Sequence, residues 1–481
     1  MKPAPPMNRR QFLGQASCAG VSSIPLLNTL LNLRLAEGIA EASSPQPGSY
    51  RALVCLFLAG GNDSFNMLVP REPGAYATYQ SSRSNLALTD AQLINIQPEG
   101  LPPFAVHGGM PEVATLFNNG NAAFVANVGT LIEPVFTKAE VEQSQKRLPL
   151  GLYSHSDQIE QWQTGVPHSR SGIGWGGRLA DLIQHINSVP TVPMQISLDG
   201  GNVWQTGETV AEYAITPQGA VNLSNYNTAY EANQGVRNAL SAAVDSQLAQ
   251  DYSNLLAQTF NSRKKQAMDA YDIFATATAP ALPAGVTFPS TYVGQRLAMV
   301  AKAIQGHNHA RLQAKRQTFF IQWGGWDHHS EVLAGQASML PQVSAAIGAF
   351  YSALVAMGMQ DKVTLFTASD FGRTLTSNSR GSDHAWGSNQ LIVGGDVVGK
   401  RIYGQYPSLV VNPDYGPTVN DLDTGRGRFI PTTSCDSLFA ELALWLGANR
   451  SDLPLILPNI GNFYNTSQSA WPIGMFKPDL G

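Results

Sequence analysis

Short apolar runs recur along the chain, and the clearest of them end on glycine followed by an acid or a histidine. Leu53 to Leu58, Thr318 to Gln322 and Val363 to Thr367 are rich enough in apolar and β-branched residues to be buried strands. Ala122 to Val128, Met194 to Leu198 and Leu391 to Val393 predict further short strands, with a helix over Pro111 to Asn118. Val343, Ile347, Phe350, Leu354 and Met357 recur at helical spacing, which predicts a helix from about Pro341 to Met357. Pro341 suits a first turn and Gly358 an end. Strand, helix and strand then make a β-α-β unit with a right-handed crossover. That unit sets Asp327 and Asp370 just past the carboxyl ends of two strands.

Elsewhere, Leu240, Val244, Leu248 and Leu255 form a narrow apolar stripe, predicting a helix over Asn238 to Ala275. Residues 200–310, rich in Asn, Gln, Ala and Thr, are expected to be a mainly helical insertion or cap. Residues 396–430 are a Gly-, Pro- and Asp-rich loop, and Asp436 to Leu446 a last helix. Alternating strands and helices predict an α/β fold, with a mostly parallel central sheet and helices on both faces.

At 481 residues the chain can hold one large domain or two ordinary ones. Only 13% of residues are charged, while 45 are glycine and 30 proline, so ordered loops are expected rather than a solvated helical surface. A formal charge of −4 leaves no electrostatic footprint for nucleic acid.

The N-terminus reads as a targeting segment. Asn8-Arg9-Arg10-Gln11-Phe12-Leu13 precedes a moderately apolar stretch to Leu35, which resembles a twin-arginine export signal. Ala40-Glu41-Ala42 before Ser43 fits the small-residue cleavage rule, giving a signal over 1–42 and an α/β domain over 43–481. The expected location is the periplasm or the exterior, with the twin-arginine translocation machinery as a partner. Cys18 falls in the signal, and Cys55 and Cys435 are expected to be buried free thiols. No later segment is expected to span a membrane.

Four segments carry candidate chemistry: Gly60-Gly61-Asn62-Asp63-Ser64, Gly324-Gly325-Trp326-Asp327-His328-His329, Ser369-Asp370-Phe371-Gly372-Arg373-Thr374 and Ser382-Asp383-His384-Ala385-Trp386-Gly387. A parallel sheet gathers the carboxyl ends of its strands on one edge, where open α/β proteins bind ligands. Carboxylates and imidazoles gathered there suit a divalent metal: zinc first, with manganese, magnesium or calcium as alternatives. In an extended loop Asp327 and His329 face one side while His328 points elsewhere. Asp63 is either a ligand or a turn residue, since Asp tolerates tight turns. Arg373 either holds an anionic substrate or locks its loop through carbonyls. His384, with the Asp327 loop, completes a three-ligand set. In Tyr153-Ser154-His155-Ser156-Asp157-Gln158, Ser156 beside His155 is a candidate nucleophile at a helix start, or only the N-cap of that helix. His107, beside Gly108 and Gly109, is a candidate to support a ligand from behind or to touch substrate.

Taken together and in this order, these motifs resemble a broad bacterial family, the domain-of-unknown-function family numbered 1501. That family in turn resembles the alkaline phosphatase and sulfatase superfamily. The resemblance runs from about residue 50 to the end. It implies an alkaline-phosphatase-like core and a binuclear site with a nucleophile between two metals. Asp63 matches the first-strand aspartate, Asp327 and His329 the next ligands, and Asp370 and His384 the later ones. Family members commonly carry glutamate in place of Asp370 and threonine in place of His328. Ser156, with Ser154 and Ser64 as alternatives, stands for the nucleophile. The expected function is an exported metal-dependent hydrolase of small anionic phosphate or sulfate esters. The alternative is an exported, non-catalytic binding or assembly protein with the same fold.

Overall fold

The strand Arg51–Leu58 (β1) explains the architecture, because every one of its eight residues is buried. A strand apolar on both faces must lie inside a sheet covered on both sides. The computed structural model describes residues 49–477, except 190, 223–225, 227–233 and 414 and the side chain of Arg263. The export signal expected over 1–42 lies outside the described residues.

The strands following β1 are β2 (Leu68–Pro70), β3 (Leu93–Ile96), β4 (Phe104–His107), β5 (Ala122–Gly129), β6 (Gln195–Ser197), β7 (Tyr213–Ala214), β8 (Arg316–Trp323), β9 (Val363–Ser369), β10 (Ser388–Val393), β11 (Ile402–Tyr403) and β12 (Thr433–Ser434). Nine of them form the main sheet in the order β11-β5-β10-β9-β1-β8-β6-β7, with β12 also on β5. β2, β4 and β3 make a small antiparallel sheet. The main sheet is parallel except around β10, which runs against β5 and β9. Leu58 pairs with Trp323 on one side and with Ser369 on the other. β1, β8 and β9 therefore end level, and their following loops start at one edge. β10 runs the other way, so the segment before it, with His384, arrives at that same edge.

The helices used below are α1 (Pro73–Arg83), α2 (His155–Thr164), α3 (Gln234–Leu248), α4 (Leu255–Thr278), α5 (Tyr292–Gln305), α6 (Val332–Ala356) and α7 (Cys435–Leu446). Two expectations need correction. The helix placed at Pro341 starts at Val332, with Pro341 inside it. Burial of Val332, Gln336 and Leu340 ahead of the proline, and of Val343, Ile347 and Phe350 after it, offsets the backbone bond that proline cannot make. The helix placed over 238–275 is two helices, α3 and α4. Asn254 starts the second by accepting the N–H groups of Leu256 and Ala257.

Within residues 200–310, Leu255, Leu256 and Phe260 are exposed, as on an insertion. Other parts of this stretch join the main fold: β7 extends the sheet, and Phe274, Val293, Leu297 and Ile304 enter the large core cluster. Although no membrane-length helix was expected, α6 is long and apolar enough to cross one. Its buried face packs in the protein core instead. Cys55 and Cys435 are both buried and free.

Candidate metal centre

Two glycines let the edge close up. Gly60 has φ +122°, and a Cβ there would stand 2.5 Å from the Asp327 nitrogen. Gly61 has φ +80°, and a Cβ there would stand 2.5 Å from the Phe371 ring. Only glycine permits both the left-handed backbone and the approach. The loops after β1, β8 and β9 are thereby pressed together.

Asp327 is the hub of what they carry. Its carboxylate lies 3.5 Å from His155 Nε2, 3.1 Å from His329 Nε2 and 3.4 Å from His384 Nε2. His329 Nε2 and His384 Nε2 are only 2.8 Å apart. Donor atoms of His155, Asp327 and His384 all fall within 4.8 Å of one another. His328 turns away and packs edge-on against Trp326.

The outer nitrogen of each ring is already committed. His155 Nδ1 lies 2.7 Å from Asp370 Oδ2, His329 Nδ1 lies 3.2 Å from Asp383 Oδ1, and His384 Nδ1 lies 2.7 Å from the Tyr153 carbonyl. Each of those partners accepts, so each neutral ring carries its proton on Nδ1. Three Nε2 atoms then converge on a carboxylate: His155 Nε2 has no hydrogen-bond partner, and the 2.8 Å between His329 Nε2 and His384 Nε2 demands a proton or a cation between them. That arrangement, with an outer carboxylate or carbonyl fixing each tautomer, is how protein imidazoles are held for a metal ion. Tyr153 stands at φ 72°, a costly conformation for a non-glycine residue.

Electrostatics follow this layout. Burial works against the Asp327 charge, but the bond to Arg373 and its charge outweigh burial and hold the carboxyl below its usual value. His155 is raised, chiefly by its bond to Asp370. Burial lowers His384. Asp383, despite burial, is drawn down to about 2 by Asn378, Arg426 and His329.

Asp327, His329 and His384 thus meet at one point, and His155 joins them. Asp370 stands one step out: one oxygen holds His155 and the other accepts the Gly60 N–H at 2.9 Å. Asp63 goes elsewhere. Its carboxylate is ion-paired with Arg83, the last residue of α1, and both side chains are fully buried. Arg373 is fully buried, and its donors go to the carbonyls of Gly60, Gly61, Trp326 and Ser382 and to Asp327. Of the two roles open to it, the loop-locking one matches these contacts.

Ser156 is not the N-cap that its position suggested. Ser154 takes that place, without a capping bond, and His155 is the first helical residue. Ser156 is exposed, with its hydroxyl 3.2 Å from Ser154 Oγ. Ser64 is buried, its hydroxyl accepting the Asn389 N–H. His107 is buried in β4, its Nδ1 accepting the Gly109 N–H.

Sequence reasoning placed His155 in catalysis only beside Ser156, and assigned nothing to Arg83 or to Asp383 alone. Arg83, between Gln80-Ser81-Ser82 and Ser84-Asn85 at a polar helix end, carried no local signal of its burial.

The family profile described as "Protein of unknown function (DUF1501)" matches residues 50–425. The chain belongs to the DUF1501 family. No curated protein matches it. Among solved structures, Ps i-CgsB is 11% identical with a TM-score of 0.33, covering 86% of this chain and 77% of its own. The alkaline phosphatase from the Antarctic bacterium TAB5 is 12% identical with a TM-score of 0.24, covering 72% and 92%. The PsFucS1 sulfatase from Pseudoalteromonas sp. is 10% identical with a TM-score of 0.28, covering 76% and 66%. Scores this low leave the reading of the site to its own geometry.

Proposed function

We propose that this DUF1501 protein is an exported hydrolase of phosphate or sulfate esters, dependent on one divalent cation held by His155, Asp327 and His384. The observation that carries this is the convergence of the Nε2 atoms of His155 and His384 on Asp327, each ring fixed by an outer acceptor on Nδ1. Two nitrogens and one carboxylate oxygen suit zinc, and three protein ligands leave a position free, as catalytic rather than closed structural sites do. The side chains of Asp327 and His329 are 46% and 45% exposed, so the centre is open to solvent. Once bound, the ion would act as a Lewis acid on the ester oxygens and make water more acidic.

The chain's own residues supply the rest. Asp370 and the Tyr153 carbonyl keep the protons of His155 and His384 on Nδ1, leaving Nε2 of each as donor to the ion. His329 is the most exposed of the three imidazoles, and Asp383 orients it through Nδ1 so that its Nε2 faces Asp327 at 3.1 Å and His384 Nε2 at 2.8 Å. We assign His329 Nε2 to take the proton of the attacking water and to return it to the leaving group. Arg373 keeps Asp327 ionised and the three loops in register. The binuclear arrangement implied by the family resemblance is not adopted: the carboxylate for a second ion, Asp63, is neutralised by a buried guanidinium. The twin-arginine pair Arg9-Arg10 supports export.

The test is metal analysis joined to turnover of p-nitrophenyl phosphate and p-nitrophenyl sulfate. His384→Ala should lose both metal and turnover, whereas His329→Ala should keep the metal and lose kcat. Full metal content without turnover of any ester would instead assign the chain a binding role.

A further inference from the structure

A cleft of about 530 Å³ opens on the same sheet edge, one strand along from the metal centre. The centre sits at the ends of β9, β1 and β8; the cleft lies at β8 and the segment after β6, the next strand in order. Its lining includes Ser156 and Gln163 of α2, Gln322 at the end of β8, and Asn202 beyond β6. Ser156 directly follows His155, so cleft and centre adjoin. The volume is that of a small-molecule pocket.

The polar groups are built in rather than incidental. Gln163 is 6% exposed, and its amide oxygen accepts the N–H groups of Val203 at 2.9 Å and Trp204 at 3.1 Å. That pins the amide and leaves Nε2 without a partner among the described residues. Gln322 has its backbone held by Asp199 and Tyr292, while its side-chain amide makes no hydrogen bond among the described residues. At the rim Arg170 pairs with Asp157 at 3.0 Å, and Glu160, whose carboxylate accepts the Ser171 N–H at 2.8 Å, has no cationic partner among the described residues.

Such a lining offers free amide donors and acceptors, hydroxyls, and one carboxylate, Glu160, that can accept from a hydroxyl but repels an anion. A hydroxyl group both donates and accepts, so a neutral ligand dense in hydroxyls satisfies it best. We propose that this cleft binds a sugar ring, and that the ester cleaved at the adjoining centre is a sugar phosphate or sugar sulfate. This rests on the hydrolase reading above.

The experiment compares glucose 6-phosphate and galactose 6-sulfate with the p-nitrophenyl esters, in the metal-loaded protein and in Gln322→Ala. Loss of one neutral hydrogen bond should raise KM for the sugar esters about tenfold. The p-nitrophenyl esters, which have no sugar to place, should change less than about twofold. Equal effects on both classes, or none on either, would overturn the sugar assignment and leave the hydrolase reading standing. Failure of the wild type to cleave any ester would sink the hydrolase reading instead. In that event saturation-transfer NMR with free glucose and galactose decides: a signal in wild type that Gln322→Ala abolishes keeps the cleft a sugar site, and no signal removes it.

Discussion

Asp63→Asn separates a structural carboxylate from a metal ligand. The Asp63 and Arg83 side chains are each 0% exposed. Arg83 is otherwise tied to Asn66 Oδ1 at 3.2 Å and to the Thr374 carbonyl at 3.1 Å, so it cannot move out to water. The substitution keeps the size of the side chain and discards its charge, stranding a buried guanidinium. Breaking a buried pair in this way costs about 3–5 kcal/mol. Whole domains hold only about 5–15 kcal/mol, so the urea midpoint should fall markedly. Metal content should stay at the wild-type level in the folded variant. Asp63→Leu combined with Arg83→Met should recover most of the loss, because an apolar pair of similar volume needs no charge compensation. A folded Asp63→Asn that has wild-type stability but no metal would refute the reasoning and return Asp63 to the ligand set.

Three further outcomes follow from the same structure. Asp370→Asn should leave the fold intact and weaken metal affinity about 10–100-fold, because it orients His155 from outside the ligand set; metal titration checks this. Asp436, fully buried near the start of α7, is pushed up to about 8, chiefly by burial. A carboxyl raised in the folded state gives stability that is complete below its ordinary pKa near 3.8 and lost as pH climbs through about 8. That rise corresponds to roughly 6 kcal/mol as an upper bound. Asp436→Asn should therefore gain several kcal/mol relative to wild type between pH 5 and pH 9 in urea unfolding, and parallel pH profiles would contradict it. Arg9-Arg10→Lys-Lys should block export while the cytoplasmic protein still folds, and unchanged periplasmic yield on fractionation would count against the twin-arginine assignment.

The strands were legible because buried parallel strands are unbroken apolar runs, and β1, β8 and β9 lie within a few residues of where those runs placed them. Their level endings were not legible, since register depends on partners that no local pattern names. For the same reason the sequence pointed to the loops bearing Asp327, His329 and His384 but not to how their donors share out. Asp63 looks equivalent to Asp327 in the sequence, yet an arginine 20 residues on captures it through a helix that folds back. His155 was masked by the serines around it, because helix-start rules favour hydroxyls and say nothing about a ring pointing off the first turn. Pro341 misled through a sound rule: proline prefers first turns, and here buried neighbours on both sides override it. The two-helix break at Asn254 was readable in principle, as an N-cap residue ahead of an apolar pair.

The most direct test of the central claim is elemental analysis of the purified, exported protein, run beside His384→Ala. One divalent ion per chain, absent from His384→Ala, is the predicted result. No ion in the wild type, or two ions per chain, would contradict a single centre built on His155, Asp327 and His384.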